Sequence, residues 1–168
     1  MNLLSTNGEL MTVAYIALAM LLGALVGVER ELADKPAGFR THMLVCGAAT
    51  LLVRLSDIIV LGFAGGDSIL SVDPLRITEA IIAGISFLGA GTIFRRSNSD
   101  HVEGLTTAAS LLFVAAIGIC VALDRLLLAT VVTLMVLVAL RGMGWLEALL
   151  RRGRSNRADE RVETDALS

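Results

Sequence analysis

Long apolar runs separated by short charged segments constrain the fold of this 168-residue chain most strongly. A helix that crosses the hydrocarbon core of a bilayer needs about 20 mainly apolar residues. Runs of roughly that length occupy residues 10–28, 41–64, 74–94, 104–123 and 126–145. With 55% hydrophobic residues and a mean hydropathy of +0.77, the chain has more apolar surface than a water-soluble core can bury. The sequence therefore predicts an all-α integral membrane protein, a bundle of about five transmembrane helices.

The second run contains two charges that complicate its assignment. Its uninterrupted apolar part, residues 41–53, would be only about 20 Å long as a helix, too short to cross alone. Continuing the helix to Ala64 gives a full span but places Arg54 and Asp57 three residues apart on one face, where they can pair. A helix broken near Arg54 is the alternative.

Positive charge is distributed unevenly over the segments that flank these runs. Eleven lysines and arginines, counting Arg141 near the end of the fifth run with the tail, lie on one side, against Arg125 alone on the other. Because short loops rich in lysine and arginine stay in the cytoplasm, we expect a periplasmic amino terminus, residues 1–9, and a cytoplasmic carboxyl terminus. The tail, residues 146–168, is basic and polar with few apolar residues, which predicts a mobile segment.

Composition and motifs argue against several functional classes. The formal charge of -2 gives no basic excess of the kind that nucleic-acid binding needs. The chain has no HExxH, phosphate-loop or dinucleotide pattern, and its two histidines and two cysteines lack metal-ligand spacing. We therefore expect no catalysis, metal or cofactor.

Small residues recur at every fourth position of the first run, at Ala19, Gly23 and Gly27. Such a stripe allows another helix to approach closely. It fits packing within the chain, which we favour, or the seam of a homodimer. Gly89 and Gly91, in the segment FLGAG, form a second point of close approach near the end of the third run.

Ionisable residues near the start of the third run are candidates for function. Asp73 precedes a proline and predicts a sharp helix start, with Arg76 and Glu79 in the first turns. An ionisable group at that depth normally faces protein or water. One hypothesis is structural pairing, of Arg76 with Glu79 or crosswise with Asp57 and Arg54. The other is a proton or cation relay through Glu79 and Asp57.

Two predicted cytoplasmic segments carry charges of both signs. The first, GVERELADKPAGFRTH, contains a tight turn that favours a folded loop with either a structural or a partner-binding role. At the start of the fourth run, Thr106 and Thr107 either satisfy backbone carbonyl groups of their own helix or line a polar cavity. The candidate functional residues are Glu29, Arg30, Lys35, Arg40, His42, Asp57, Asp73, Arg76, Glu79, Glu103, Thr106 and Thr107.

The chain resembles the MgtC/SapB family of bacterial inner-membrane proteins in three stretches: GALVGVERELADKPAGFRTHMLVCGAATLL, DPLRITEAIIAGISFLGAGTIFR and VEGLTTAASLLFVAAIGI. The family pattern of ER, KPAGxRTH, DPxR, FLGAG and GLTTAA maps onto residues 29–30, 35–42, 73–76, 87–91 and 104–109. Two features depart from it. Ala80 stands where many members have glutamine, and a short tail stands where many have a soluble domain.

The resemblance implies a multi-pass protein of the plasma (inner) membrane, linked to growth in scarce magnesium and, in pathogens, to virulence through survival inside host cells. It also implies the F-type ATP synthase as a partner, since modulation of that enzyme has been attributed to some members. We therefore expect a non-enzymatic regulatory protein that acts by helix contacts with a membrane complex or as a homo-oligomer. The competing hypothesis is a small ion or proton-coupled transporter or channel that uses Asp57 and Glu79.

Overall fold

The structure, a computed structural model, describes residues 6–63, 74–95 and 102–142. The predictions made for Asp73, for the first residues of the amino terminus and for the tail at 146–168 lie outside these ranges. Helices dominate the described residues, which confirms the all-α class. The elements are α1 (Thr6–Leu32), α2 (Phe39–Phe63), α3 (Pro74–Ala90), β1 (Phe94–Arg95), β2 (Val102–Glu103), α4 (Leu105–Ala122) and α5 (Leu126–Gly142).

Three helices of the described ranges are long and apolar enough to cross a membrane. They are α1, the part of α2 from Phe39 to Val60, and α4. The third helix has 17 residues, which at 1.5 Å per residue is about 26 Å and slightly less than the roughly 30 Å hydrocarbon core. A membrane protein with several apolar helices is therefore supported, while the number of spans stays a prediction.

The prediction that the third helix continues to Phe94 is wrong, because α3 ends at Ala90. A turn replaces the last residues: the Thr92 hydroxyl donates a hydrogen bond of 2.7 Å to the Gly89 carbonyl oxygen, and the Thr92 backbone N–H donates to the same oxygen at 2.9 Å. Beyond the turn, β1 pairs antiparallel with β2, so that Phe94 lies opposite Glu103. Composition alone does not predict the end of the helix at Ala90, because Ile93 and Phe94 continue the apolar run.

The second helix passes unbroken through Arg54 and Asp57. The alternative of a helix broken near Arg54 is therefore not observed. Continuity follows from the backbone, since the segment has no proline or glycine between Gly47 and Gly62.

The stripe of small residues on α1 lies against α2. A Cβ atom added at Gly23 would come within 2.6 Å of the His42 carbonyl oxygen, and one added at Gly27 within 2.6 Å of Phe39 Cα. Ala19, one turn earlier, is fully buried. Later residues of α1 thus meet earlier residues of α2, and the two helices are antiparallel with little space between their backbones.

The fourth helix runs parallel to α2, and α3 runs opposite to both. Three polar contacts between α2 and α4 join residues separated by 68, 68 and 70 positions, so the two helices advance together. Gly89, near the carboxyl-terminal end of α3, approaches Ala108 near the start of α4. A Cβ atom added at Gly89 would lie 3.2 Å from the Ala108 Cβ atom. Buried side chains from α1, α2 and α4 form the core, among them Val26, Cys46, Leu111, Val114 and Ile117.

Contacts divide the chain into two units, Met1–Val136 and Leu137–Ser168. The first contains the core and most of α5, whose Ala129, Thr133 and Val136 side chains are buried. Of the second unit, the structure describes residues 137–142, which complete the helix α5.

Candidate functional site

A line of polar groups, buried except for Asp124, joins α2 to α4 and the turn after it, and we call it the polar seam. It consists of His42, Thr50 and Arg54 on α2, with Ser110, Gly118 and Asp124 opposite them. The three α2 side chains lie at intervals of eight and four residues, which places them along one face of the helix. A polar line of this kind in an apolar bundle fixes which residues of two helices stand side by side.

His42 forms the first step of the polar seam and is fully buried. Its Nδ1–H donates to the Gly38 carbonyl oxygen at 2.9 Å, and its Nε2 lies 2.9 Å from the Ser110 hydroxyl. That hydroxyl is also 2.8 Å from the Thr107 carbonyl oxygen. Since serine has one hydroxyl hydrogen, the hydrogen serves either Thr107 or the Nε2 of a neutral His42.

Thr50 forms the second step. Its hydroxyl, fully buried, lies 3.1 Å from the Cys46 carbonyl oxygen of its own helix and 2.8 Å from the Gly118 carbonyl oxygen of α4. This contact requires the two backbones to be close, and a Cβ atom at Gly118 would overlap the Cys46 carbonyl oxygen. Glycine at position 118 thus permits the hydrogen bond across the helix pair.

Arg54 forms the third step, with only 3% of its surface exposed. Its Nη2 donates to Asp124 Oδ1 at 2.9 Å, and its Cζ lies 4.2 Å from the centre of the Tyr15 ring on α1. The guanidinium is therefore held by a charge pair with the turn after α4 and by a cation–π contact with α1. The preferred pairing of Arg54 with Asp57 is wrong, because the carboxylate that meets Arg54 comes from the turn after α4.

A second polar cluster lies where α1 turns into α2. Arg30 is 4% exposed, and its Nη1 is 3.7 Å from Glu29 Oε2. Glu31 accepts a hydrogen bond of 2.9 Å from the backbone N–H of Phe39, the first residue of α2, where a carboxylate also favours the positive end of the helix dipole. The turn between the helices is folded, with the Lys35 backbone N–H donating to the Arg30 carbonyl oxygen at 3.0 Å.

The predicted candidate residues separate into a buried and an exposed group. Arg30, His42 and Thr107 are buried, and His42 and Thr107 meet through Ser110. Glu29 is partly buried beside Arg30. The exposed candidates are Lys35, Arg40, Arg76, Glu79, Glu103 and Thr106. Asp57 is half-buried and lies outside the polar seam.

An open groove of about 470 Å³ separates α2 from α3. Its walls are mostly apolar, with Ser56 and Arg76 as the polar exceptions. The acids of the relay hypothesis, Asp57 and Glu79, do not line it. Within the ranges that the structure describes, no group of histidine, cysteine and acidic residues could hold a metal ion.

The sequence analysis did not single out four members of the polar seam, Thr50, Ser110, Gly118 and Asp124, or the Tyr15 ring that contacts Arg54. Helix direction offered a signal for Asp124. If α2 and α4 are parallel, Arg54 lies fifteen residues into α2 and Asp124 nineteen residues beyond the start of α4, at similar depths. Thr50 and Ser110 offered no such signal, because threonine and serine occur throughout membrane helices with their hydroxyls bonded to their own backbone.

We expect Ser110→Ala to lower the free energy of unfolding by about 1–3 kcal/mol, because the buried His42 Nε2 loses its partner. Thermal unfolding in mild detergent measures the change. Ser86→Ala is the matched control, since Ser86 is exposed on α3 and should tolerate the same substitution. Equal melting temperatures for the two variants would contradict a stabilising His42–Ser110 contact.

Known proteins are similar to this chain over most of its length. A family model described as the MgtC family matches residues 16–149. An uncharacterized protein of Haemophilus influenzae is 38% identical over 124 residues, which cover 74% of this chain and 52% of that protein. Protein SapB of Bacillus subtilis is 31% identical over 147 residues, 88% of this chain and 62% of SapB.

Protein MgtC of Brucella abortus is 44% identical over 109 residues, which cover 64% of this chain and 41% of that protein. The chain thus spans about half the length of these curated relatives. No solved structure matches it. The family match runs from α1 to beyond the end of α5 and confirms the resemblance drawn from the sequence motifs: the chain belongs to the MgtC family.

Proposed function

We propose that the protein is a non-enzymatic regulatory protein of the bacterial inner membrane that helps the cell adapt to low magnesium. It acts by helix contacts with another membrane complex, for which the F-type ATP synthase is the candidate that the family resemblance supplies. Family membership supports an MgtC-like membrane protein. The role in low magnesium and the identity of the partner complex are proposals.

The observation that carries this proposal is the exposure of α3. From Leu75 to Ala90, Ile81 and Gly89 are the buried residues. One side of the helix, which we call the outer face of α3, is exposed throughout and consists of Leu75, Glu79, Ile82, Ala83, Ser86 and Ala90. Small residues there permit close approach of another helix, and the polar groups of Glu79 and Ser86 favour a protein partner over lipid.

The transporter hypothesis has weaker support. A relay through Asp57 and Glu79 needs both acids on one polar path. At 100° per residue, each acid lies about 140–150° around its helix from the middle of the face that lines the groove between α2 and α3. In the described ranges, the buried polar groups of α2 and α4 are largely bonded to one another in the polar seam.

Orientation in the membrane belongs to this proposal. The helix directions agree with the charge asymmetry, since α1 and α3 run opposite to α2 and α4. In intact cells whose own Cys46 and Cys120 are replaced by alanine, we expect a membrane-impermeant maleimide to label Ser68→Cys and to spare Asp34→Cys and Ser97→Cys. Labelling of Asp34→Cys from outside would reverse the orientation.

The function is tested by blocking the outer face of α3. In a strain that depends on this protein for growth in low magnesium, we expect Ala83→Leu to abolish growth and co-purification of the partner complex, because a branched side chain prevents close helix approach. Ala116→Leu is the matched control, an exposed alanine of α4.

The same assay separates the two hypotheses. A relay predicts that Asp57→Asn and Glu79→Gln both abolish growth. Docking through the outer face of α3 predicts that Asp57→Asn grows normally, since Asp57 lies on α2. Full growth and co-purification with Ala83→Leu would refute the docking proposal.

A further inference from the structure

The groove between α2 and α3 has a polar end and an apolar length. Arg76 lines it together with Ser56, whose hydroxyl donates to the Val53 carbonyl oxygen at 2.8 Å. The guanidinium of Arg76 is exposed and forms no ion pair with the residues that the structure describes. The remaining lining is apolar and includes Val45, Leu52, Ile81 and Ile85.

Contacts elsewhere in the bundle fix the end at which Arg76 lies. Gly89, near the end of α3, approaches Ala108, and Ser110 two residues later contacts His42 near the start of α2. The end of α3 therefore lies beside the start of α2, and Arg76 lies beside the end of α2. Because the apolar span of α2 ends at Val60, Arg76 is placed at the depth of lipid headgroups and the groove at the depth of acyl chains.

The charge at this end of the groove is positive. At 100° per residue, Asp57 and Glu79 lie about 140–150° around their helices from the middle of the face that lines the groove, although Glu79 is about 60° from Arg76 itself. Neither carboxylate is therefore directed into the groove, and Arg76 is the charged residue among those that line it.

The size and length of the groove suit one lipid chain. Its volume of about 470 Å³ lies within the roughly 300–1,000 Å³ of sites that bind small molecules. The α2 wall from Val45 to Ile59 is about 21 Å long, whereas one leaflet of the roughly 30 Å hydrocarbon core is about 15 Å thick, so an extended acyl chain fits along it.

We propose that this groove binds an anionic phospholipid, with the phosphate on the Arg76 guanidinium and one acyl chain between α2 and α3. Arginine forms short, charge-assisted hydrogen bonds to phosphate, and the apolar walls exclude water from the chain. The lipid site uses the opposite side of α3 from the outer face of α3, so it does not depend on the proposed docking of a membrane complex.

The test uses the full chain in detergent, stripped of lipid and titrated with phosphatidylglycerol, phosphatidylcholine or inorganic phosphate, with bound lipid counted by native mass spectrometry. Both lipids carry a phosphate, but the choline ammonium of phosphatidylcholine brings a positive charge close to the Arg76 guanidinium. We therefore expect phosphatidylglycerol to bind about tenfold more tightly than phosphatidylcholine. Arg76→Gln should remove that preference. Arg125→Gln, which changes an exposed arginine outside the groove, should keep it.

A second pair of variants tests the acyl chain. Gly84 lines the groove, and a Cβ atom there would meet nothing within 4 Å, so the side chain of Gly84→Leu starts without a clash and extends into the groove. It should lose both lipids, as should Ala80→Leu if Gly84→Leu is poorly folded, whereas Gly142→Leu, at another open glycine, should bind as the wild type does. Equal binding of the two lipids, unchanged preference in Arg76→Gln, or wild-type lipid binding by a folded Gly84→Leu variant would overturn the proposal.

Discussion

Gly118→Ala is expected to destabilise the protein by about 3 kcal/mol or more, at the upper end of the range for an overpacked core. The added Cβ atom would overlap the Cys46 carbonyl oxygen and lie 3.0 Å from the Ala49 Cβ atom. Because the first obstacle is backbone, no rotamer change relieves it and the two helices must separate. Separation would also break the hydrogen bond from Thr50 to the Gly118 carbonyl oxygen, which is 2.8 Å long.

Thermal unfolding in mild detergent measures this effect, with Gly84→Ala as the matched control. Both changes replace glycine by alanine inside a helix, but a Cβ atom at Gly84 meets nothing within 4 Å. Without a clash, alanine stabilises a helix by about 0.5–1 kcal/mol relative to glycine. The two variants should therefore shift the melting temperature in opposite directions. A shift of the same sign and size would show that α2 and α4 stand further apart than the structure places them.

The sequence alone was sufficient to predict the presence of the helices, because a long apolar run can form few other structures inside a membrane. Backbone groups must be hydrogen-bonded internally at membrane depth, so a long apolar run becomes a helix. The same reasoning failed at the end of α3, where Thr92 turns the chain and Phe94 enters a strand. An apolar pattern does not distinguish the last turn of a helix from a short strand that pairs with another.

The candidate site was predictable to a smaller degree. Arg30 and His42 were singled out as members of a charged loop segment and Thr107 as a hydroxyl at the start of the fourth run, and all three are buried. Their partners were not, since each contact joins residues far apart in sequence. The pairing of Arg54 was misassigned to Asp57 because helical spacing reveals neighbours within one helix only, whereas Asp124 reaches Arg54 from another.

Asp124→Asn is expected to lower the free energy of unfolding by about 2 kcal/mol, less than the 3–5 kcal/mol typical when a fully buried ion pair is broken. The reduction is expected because the Asp124 side chain is 53% exposed, while that of Arg54 is 4% exposed. Asparagine tolerates the positive φ of 59° at this position, so the substitution removes charge without straining the turn. What remains is an arginine inside the bundle whose charge only the Tyr15 ring still compensates.

A double-mutant cycle in detergent isolates this pair. Arg54→Gln combined with Asp124→Asn should be more stable than Asp124→Asn alone, because no lone charge remains buried. Asp57→Asn is the matched control, a carboxylate on the same helix as Arg54, and should change stability by no more than about 0.5 kcal/mol. If Asp57→Asn were the more damaging single change, Arg54 would pair with Asp57 within α2. The Arg54–Asp124 contact would then not align the end of α2 with the end of α4.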